Sequence, residues 1–241
     1  MKLSPLGVLR SCFKEKFGTP RQPHVAPGAS ATLTIDAAHK PEQSLAGLDG
    51  FSHVWLLSWF HLNTNNKPLP KVHPPRLKGG KVGLFASRSP HRPNPIGLSL
   101  ARLVKVDGAT LHLAGIDLVD GTPILDVKPY IPESDSAAGA SPGWTTAAPV
   151  EPMTVAFTSR ALADAAAAES RLGLGGLKEL LADLLKQDIR NPRDRAQSRD
   201  GVDLGFFLHD FEARFCVKGG TATVLRLETG GEMHRNPRRR A

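Results

Sequence analysis

The sequence predicts a mainly β protein, in which a small antiparallel β-barrel is followed by a smaller α+β domain. Short apolar segments separated by turn residues run through residue 132 without a helical repeat, which is typical of a closed or nearly closed antiparallel sheet. Asp107-Gly108 joins two alternating segments and predicts a two-residue hairpin. Apolar residues at helical spacing first appear after residue 159. The predicted division is a barrel domain (1–135), a linker (136–150), an α+β domain (151–230) and a basic tail expected to be disordered (231–241).

Six segments supply the strands of the predicted barrel. Residues 3–10 form the first strand, and residues 31–36 alternate Thr with Leu or Ile, the pattern of a half-buried strand. Residues 51–61 are nearly all apolar or aromatic, and we interpret them as a central strand buried on both faces. The hairpin comprises residues 98–106 and 109–113, and residues 116–132 carry the last apolar strand segments.

The second half combines helices and strands. Residues 133–149 are rich in Ser, Ala, Gly and Pro, which predicts a linker or surface excursion. An alanine-rich helix is expected over residues 159–170, and leucines at helical spacing predict a second, amphipathic helix that ends around Asn191-Pro192. Residues 211–217 and 221–227 predict a hairpin around Lys218-Gly219-Gly220.

The charge and the amino-acid composition of the chain limit the kinds of function it can have. The net charge is +8 over 241 residues, with a pI of about 9.8. This charge favours a polyanionic partner, and nucleic acid is the first such partner to consider. The chain has no run of ~18 apolar residues and no apolar signal-peptide core, so we expect a cytoplasmic protein without a membrane span. Cys12 and Cys216 lie far apart, and the nine histidines follow no metal-ligand spacing, so no metal site is predicted.

Residues 88–94 are the strongest candidate for a binding loop. They contain two arginines, a histidine and an asparagine, and Pro90, Pro93 and Pro95 exclude helix or central strand there. Further polar corners interrupt apolar strands at residues 20–22, at His61 and at residues 120–123. Loops of a small barrel can converge at one rim. Such a rim could hold a ligand with both a carboxylate and a base, and it offers no obvious nucleophile.

These blocks carry a resemblance to a known family. Residues 83–97 (GLFASRSPHRPNPIG) and 117–132 (DLVDGTPILDVKPYIP) resemble the TsaA/TrmO (YaeB-like) family of β-barrel methyltransferases. The blocks FKEKF (13–17), PRQP (20–23) and GFSHVW (50–55) follow the same family order. Residues 187–193 (QDIRNPR) and 208–214 (LHDFEAR) look like the C-terminal domain of its bacterial members. The basic tail after Gly230 lies outside the blocks that carry the resemblance.

The resemblance implies an S-adenosyl-L-methionine-dependent tRNA methyltransferase. Its methyl group goes to N6 of N6-threonylcarbamoyladenosine beside the anticodon of threonine tRNAs, and members are expected to form homodimers. The implied cofactor residues are Pro20, Arg21, Gln22, His61, Leu62, Arg88, Leu98, Asp120, Gly121, Thr122 and Pro123.

The reaction and the RNA contacts give further expectations. Asp120 or His61 could accept or relay the N6 proton. Arg92 and Asn94 serve substrate phosphate or carboxylate, or only pin their own loop. The basic residues Lys71, Arg76, Lys78 and Lys81, together with C-terminal arginines, are expected to follow the tRNA backbone. Two alternatives remain open: a non-enzymatic RNA- or nucleotide-binding barrel, and S-adenosyl-L-methionine-dependent methylation of another substrate.

Overall fold

The computed structural model describes residues 2–63, 69–74, 77, 80–146, 151–190 and 200–229. The chain forms two compact units. The first contains Met1–Arg10, Ala31–Ala114 and Gly121–Glu151, and the second contains Ser11–Ser30, Gly115–Asp120 and Pro152–Ala241. Arg76, Lys78 and the basic tail, which the sequence analysis singled out, lie outside the described residues.

The first unit is built around a closed barrel of six strands, which confirms the predicted fold class. In barrel order the strands are β1, β2, β7, β6, β3 and β8, and the pairs β1–β8, β8–β3, β3–β6 and β6–β7 are antiparallel. Their bounds are β1 Gly7–Ser11, β2 Ser30–Thr34, β3 His53–Trp59, β6 Ile96–Asp107, β7 Thr110–Ala114 and β8 Pro123–Pro129. A separate two-stranded sheet pairs β4 (Lys71–Val72) with β5 (Val82–Gly83), and the short helices are α1 Pro41–Ser44 and α2 Pro132–Asp135.

Strand β3 shows why the prediction of burial on both faces was wrong. Val54, Leu56 and Ser58 are fully buried, whereas Trp55 and Leu57, which alternate with them, are only half-buried. Successive side chains of a strand point to opposite faces, so one row fills the barrel and the other lies outside it. The Trp55 ring packs edge-on against Tyr130, with ring centroids 5.9 Å apart, which accounts for the aromatic residue on the outer face.

The predicted hairpin between β6 and β7 is confirmed. Asp107 pairs with Thr110, so the two turn residues are Gly108 and Ala109, one position later than the Asp-Gly pair suggested. A bulge lies between Leu103 and Lys105. The short connection keeps β6 and β7 in register along the barrel wall.

The second unit contains a four-stranded sheet and two helices. The sheet order is β10–β11–β12–β9, with β9 parallel to β12 and the other pairs antiparallel. The strands are β9 Thr154–Phe157, β10 Leu204–Leu208, β11 Phe211–Lys218 and β12 Thr221–Thr229, and the helices are α3 Ser159–Leu172 and α4 Leu177–Lys186. Both predicted helices and the β11–β12 hairpin are therefore present.

Helix α4 ends at Lys186, several residues before the predicted stop at Asn191-Pro192. Gln187 already has an extended backbone, with φ −96° and ψ 117°. The Asp188 carboxylate then accepts a hydrogen bond from the Arg190 N–H at 3.1 Å, which closes a local turn. The helix thus ends before this turn, and the proline at position 192 was too distant a signal of its end.

Residues from the N-terminal third complete the core of the second unit. Cys12, Phe13, Ala26 and Ala29 are buried together with residues of α3, α4 and the sheet. Phe13 forms a β-bridge with Leu208, and the His209 N–H donates to the Cys12 carbonyl at 2.6 Å. The domain boundaries at residues 135 and 151 stay a prediction, and the compact units differ from them over residues 11–30 and 115–120.

Candidate cofactor and substrate site

The 88–94 loop is irregular, as predicted, and Arg92 holds its shape. The Arg92 Nη1 donates to the Ser87 carbonyl at 3.0 Å, and its guanidinium carbon lies 5.5 Å from the centroid of the Phe85 ring. The Arg92 N–H donates to the Pro90 carbonyl at 2.9 Å. Of the two roles left open for Arg92, these contacts favour pinning its own loop. Asn94 is exposed, and its carbonyl accepts from the Ile96 N–H at 2.7 Å.

Asn63 brings the loop against the end of β3. Its Nδ2 donates to the Pro90 carbonyl at 2.8 Å, and its Oδ1 lies 3.0 Å from Nδ1 of His91. Two of the polar corners predicted from the sequence, that after His61 and that at residues 88–94, therefore lie side by side. Sequence reasoning missed Asn63, because an asparagine in a polar loop carries no signal of its partner.

The third corner, at residues 121–123, lies beside His61. A Cβ built on Gly121 would lie 3.9 Å from the His61 Nε2, and the Gly121 φ of +81° is one that glycine adopts readily. The Gly121 N–H donates to the Leu9 carbonyl and the Leu9 N–H donates to the Thr122 carbonyl, both at 2.9 Å. These bonds fix the turn to β1, and Thr122 is 3% exposed. Pro123 begins β8.

The surroundings of this rim are mixed in polarity. The side chains of Leu62 and Leu98 are exposed, by 40% and 55%, and Arg88 is exposed as well. At the end of β3 that leads to His61, the buried Ser58 Oγ has no hydrogen-bond partner among the described residues. A Cβ on Gly97 would lie 2.5 Å from that oxygen, so glycine keeps the space open.

Asp120 belongs to the second unit, and both of its carboxylate oxygens are engaged. The Ser11 N–H donates to Oδ1 at 2.9 Å, and the Lys14 ammonium lies 3.2 Å from Oδ2. The Asp120 N–H also donates to the Phe13 carbonyl at 2.7 Å. This arrangement suits a residue that fixes the start of the 121–123 turn. The sequence did not indicate Lys14 as the partner of Asp120.

The remaining predicted residues are divided between the two units. In the second unit Pro20 is buried, Arg21 is exposed and the Gln22 Nε2 donates to the Arg21 carbonyl at 2.6 Å. In the first unit Lys71 and Lys81 are exposed on or beside the β4–β5 sheet.

The described part of the chain lacks two further kinds of feature. None of its helices is long and apolar enough to cross a membrane. Within the same residues no cluster of three or more His, Cys, Asp or Glu side chains is arranged to hold a metal ion.

Comparison with known proteins decides the family. Residues 8–136 match the model of the tRNA-methyltransferase O N-terminal domain. The chain is 39% identical over 228 residues to the tRNA (adenine(37)-N6)-methyltransferase of Escherichia coli, covering 92% of this chain and 96% of that protein. This chain belongs to the tRNA-methyltransferase O family. A crystal structure of TrmO superimposes with a TM-score of 0.79 at 36% identity, covering 95% of this chain and 99% of that one.

Other relatives of the tRNA-methyltransferase O family match part of the chain. The mouse tRNA (adenine(37)-N6)-methyltransferase is 52% identical over 139 residues, which are 57% of this chain and 32% of that protein. This chain thus spans about a third of the length of that mammalian relative. A Pseudomonas aeruginosa protein is 50% identical over 148 residues, covering 61% of this chain and 64% of its own length. Its name includes S-adenosylmethionine-dependent methyltransferase.

The two cysteines give a first testable prediction. Burial raises the pKa of the Cys12 thiol to about 12, and its side chain is 3% exposed, whereas Cys216 is half-buried. At about pH 8 only about 10⁻⁴ of the Cys12 thiol is ionised, and the thiolate is the reactive form. Alkylation of the native protein at this pH is therefore expected to modify Cys216 and spare Cys12. Peptide mass spectrometry measures both sites, and the urea-unfolded protein, in which both must react, is the control. Rapid native labelling of Cys12 would contradict the prediction.

A second prediction concerns the anchoring of the loop. Arg92→Met removes the hydrogen bond to Ser87 and the guanidinium–ring contact while keeping the length of the side chain. We expect the free energy of unfolding of the first unit to fall by about 1 kcal/mol. Urea titration followed by tryptophan fluorescence suits the measurement, because Trp55, Trp59 and Trp144 all lie in that unit. Arg102→Met, at an exposed position of β6, is the matched control. Equal losses in both variants would show that the loop contacts do not contribute.

Proposed function

We propose that this protein is an S-adenosyl-L-methionine-dependent methyltransferase that acts on N6 of adenine 37 in tRNA. The observation that carries the proposal is the identity of 39% along 96% of the Escherichia coli enzyme, which spans both compact units. The finer proposal is that the accepting adenine is already N6-threonylcarbamoylated, that threonine tRNAs are the substrates, and that the enzyme works as a homodimer in the cytoplasm.

The rim of the barrel fits the proposed cofactor. Exposed Leu62 and Leu98 offer apolar cover, and Gly121 leaves open space beside the His61 imidazole. Arg88 is a cation suited to a carboxylate, and the buried Ser58 hydroxyl lacks a partner among the described residues. In this proposal His61, Leu62, Arg88, Leu98 and residues 121–123 hold the cofactor from the first unit. Residues 20–22 and Asp120, which the resemblance also implied for the cofactor, lie in the second unit.

S-adenosyl-L-methionine supplies a methyl group on a sulfonium, which is already activated for in-line displacement. The protein therefore needs no covalent nucleophile, and its task is to orient the acceptor and keep water away. The proton on N6 must leave around the transfer. We propose that the His61 imidazole accepts it, because His61 lies at the open rim beside Gly121.

Asp120 has a different part in this proposal. Its carboxylate is held by the Ser11 N–H and the Lys14 ammonium, so it is already paired before any substrate arrives. The Ser11 N–H engages Oδ1 and the Lys14 ammonium engages Oδ2, so each carboxylate oxygen already holds a neighbouring part of the chain. We assign Asp120 to fixing the turn that begins at Gly121. Arg92, tied to Ser87 and Phe85, likewise keeps the loop in shape.

The RNA contacts of this proposal rest on charge. The net charge is +8, and Lys71 and Lys81 are exposed on the first unit. If such residues neutralise phosphates, the logarithm of tRNA affinity falls linearly with the logarithm of salt concentration, by about 0.7–0.9 per phosphate. Affinity that does not respond to salt would exclude this contribution.

One experiment tests the function. The purified protein is incubated with S-adenosyl-L-methionine carrying a labelled methyl group and with tRNA from a strain lacking this enzyme, and the nucleosides are resolved by mass spectrometry. Labelled N6-methyl-N6-threonylcarbamoyladenosine is the expected product. tRNA that binds without any label would support the non-enzymatic RNA-binding alternative. Transfer to a different nucleoside or to a small molecule would correct the substrate.

A further inference from the structure

The second unit contains a cavity of about 270 Å³, and two of its lining residues, Pro20 and Arg21, are also among the residues implied for the cofactor. One wall is the segment of residues 16–21 together with Val25, and the other is the end of α4 and residues 187–190. We propose that this cavity binds a single unpaired nucleotide of the tRNA substrate, with its base between the walls. The inference rests on the proposed function, because it assumes that tRNA is the substrate.

The size and lining of the cavity favour one nucleotide over a larger ligand. Pockets for complete drug-sized ligands or cofactors span about 300–1,000 Å³, so this cavity is small for one. Its walls carry the Phe17 ring and the aliphatic side chains of Leu184 and Ile189. Single-stranded RNA is typically recognised by stacking of its bases on aromatic side chains, and such stacking tolerates any base.

The charges at the cavity suit a phosphate beside that base. Lys16 and Arg21 both line it and are exposed. The one lining carboxylate, Asp188, is neutralised, since its oxygens accept from the Arg190 Nε at 2.9 Å and from the Arg190 Nη2 at 2.8 Å. The Gln187 amide, half-buried at the end of α4, offers both a donor and an acceptor for a base edge.

The wall formed by residues 16–21 is fixed before any ligand binds. Gly18 has φ +87°, and a Cβ there would lie 2.6 Å from a carbon of the Phe206 ring, so its backbone lies directly on β10. The Thr19 hydroxyl donates to the Glu15 carbonyl at 2.6 Å, and the Glu15 carboxylate accepts from the Phe207 N–H at 3.2 Å. Such preorganisation lowers the entropic cost of binding.

The test compares tRNA binding and cofactor binding in variants of the full chain. Phe17→Leu keeps an apolar side chain but removes the aromatic face, and we expect it to weaken tRNA binding about fivefold or more. Phe17→Tyr keeps an aromatic ring and is expected to bind tRNA with wild-type affinity. Lys16→Ala is expected to reduce the salt dependence by about one phosphate equivalent, whereas Lys178→Ala, exposed on α4, leaves it unchanged. Calorimetry should give the same S-adenosyl-L-methionine affinity for all four variants and the wild type.

The outcomes separate this proposal from the proposed function. Unchanged tRNA affinity in Phe17→Leu and Lys16→Ala, with methyl transfer by the wild type intact, would overturn the nucleotide cavity and leave the function standing. Loss of cofactor affinity in Phe17→Leu would assign the cavity to the cofactor and also overturn it. A wild-type protein that transfers no methyl group to tRNA would refute the function itself. Thermal unfolding of each variant shows whether a loss of tRNA affinity comes from misfolding. If Phe17→Leu is misfolded, the salt dependence of Lys16→Ala decides whether the proposal holds, since Lys16 is exposed and its replacement leaves the core intact.

Discussion

Replacing His61 by alanine is expected to lower the rate of methyl transfer by about 10²- to 10⁴-fold, the usual contribution of a positioned general base. The imidazole lies beside Gly121 at the rim of the barrel. In the proposed reaction, His61 is the residue that accepts the proton from N6 of the adenine. The affinity for tRNA should change little, because the interaction develops in the transition state. Single-turnover kinetics with labelled cofactor measures the step directly. His112→Ala, on β7, is the matched histidine control and should keep the wild-type rate.

Asp120→Asn separates the two proton acceptors predicted from the sequence. Asparagine keeps an oxygen for the Ser11 N–H but loses the ion pair with Lys14, so a smaller loss of rate is expected than for His61→Ala. An equal or greater loss in Asp120→Asn, together with a weak effect of His61→Ala, would reverse the assignment.

Phe206→Ala is expected to destabilise the second unit by about 3–5 kcal/mol, the usual cost of deleting a fully buried phenylalanine side chain. The ring is 0% exposed, meets Phe215 edge-on at 5.9 Å between centroids and supports the backbone at Gly18. Urea unfolding followed by the helical circular dichroism signal reports on this unit, because α3 and α4 both belong to it.

Phe207→Ala is the control for Phe206→Ala. Phe207 is the next residue of β10, on the opposite face, and it is only half-buried. Its truncation should cost clearly less, because less apolar surface and a smaller cavity are involved. Comparable losses in the two variants would mean that the ring of Phe206 has no special part in the core.

Local patterns were enough for part of the fold. Helix α3 follows from its alanine-rich composition and α4 from leucines at helical spacing. The β6–β7 and β11–β12 hairpins follow from turn residues between alternating segments. Strand β9 was missed, because its partner β12 is parallel and lies far away in sequence, so no turn announces the pairing. Strand β10 was missed as well. Strand β3 was expected to be buried on both faces, but a strand of a barrel wall has only one face in the barrel interior.

The sequence predicted which residues belong to the candidate site, but it predicted only some of the contacts that these residues make. Proline spacing indicated the stiff 88–94 loop, and the resemblance to a family supplied a ligand and a reaction. The partner of Asp120 could not be read from the sequence, since Ser11 is 109 positions away and Lys14 lies in a block that looked merely basic. For Arg92 the sequence left two roles open, and only the positions of Ser87 and Phe85 favour one of them.

The bridge between Phe13 and Leu208 has a consequence for biosynthesis. Residues 11–30 leave the ribosome early, but the strands that bury Cys12 and Phe13 are translated nearly two hundred residues later. At about 5–20 residues per second, this segment waits on the order of 10–40 s for its partners. During that time the apolar surface of Cys12 and Phe13 is available to chaperones. The second unit is therefore expected to close only after β10 and β11 have left the ribosome.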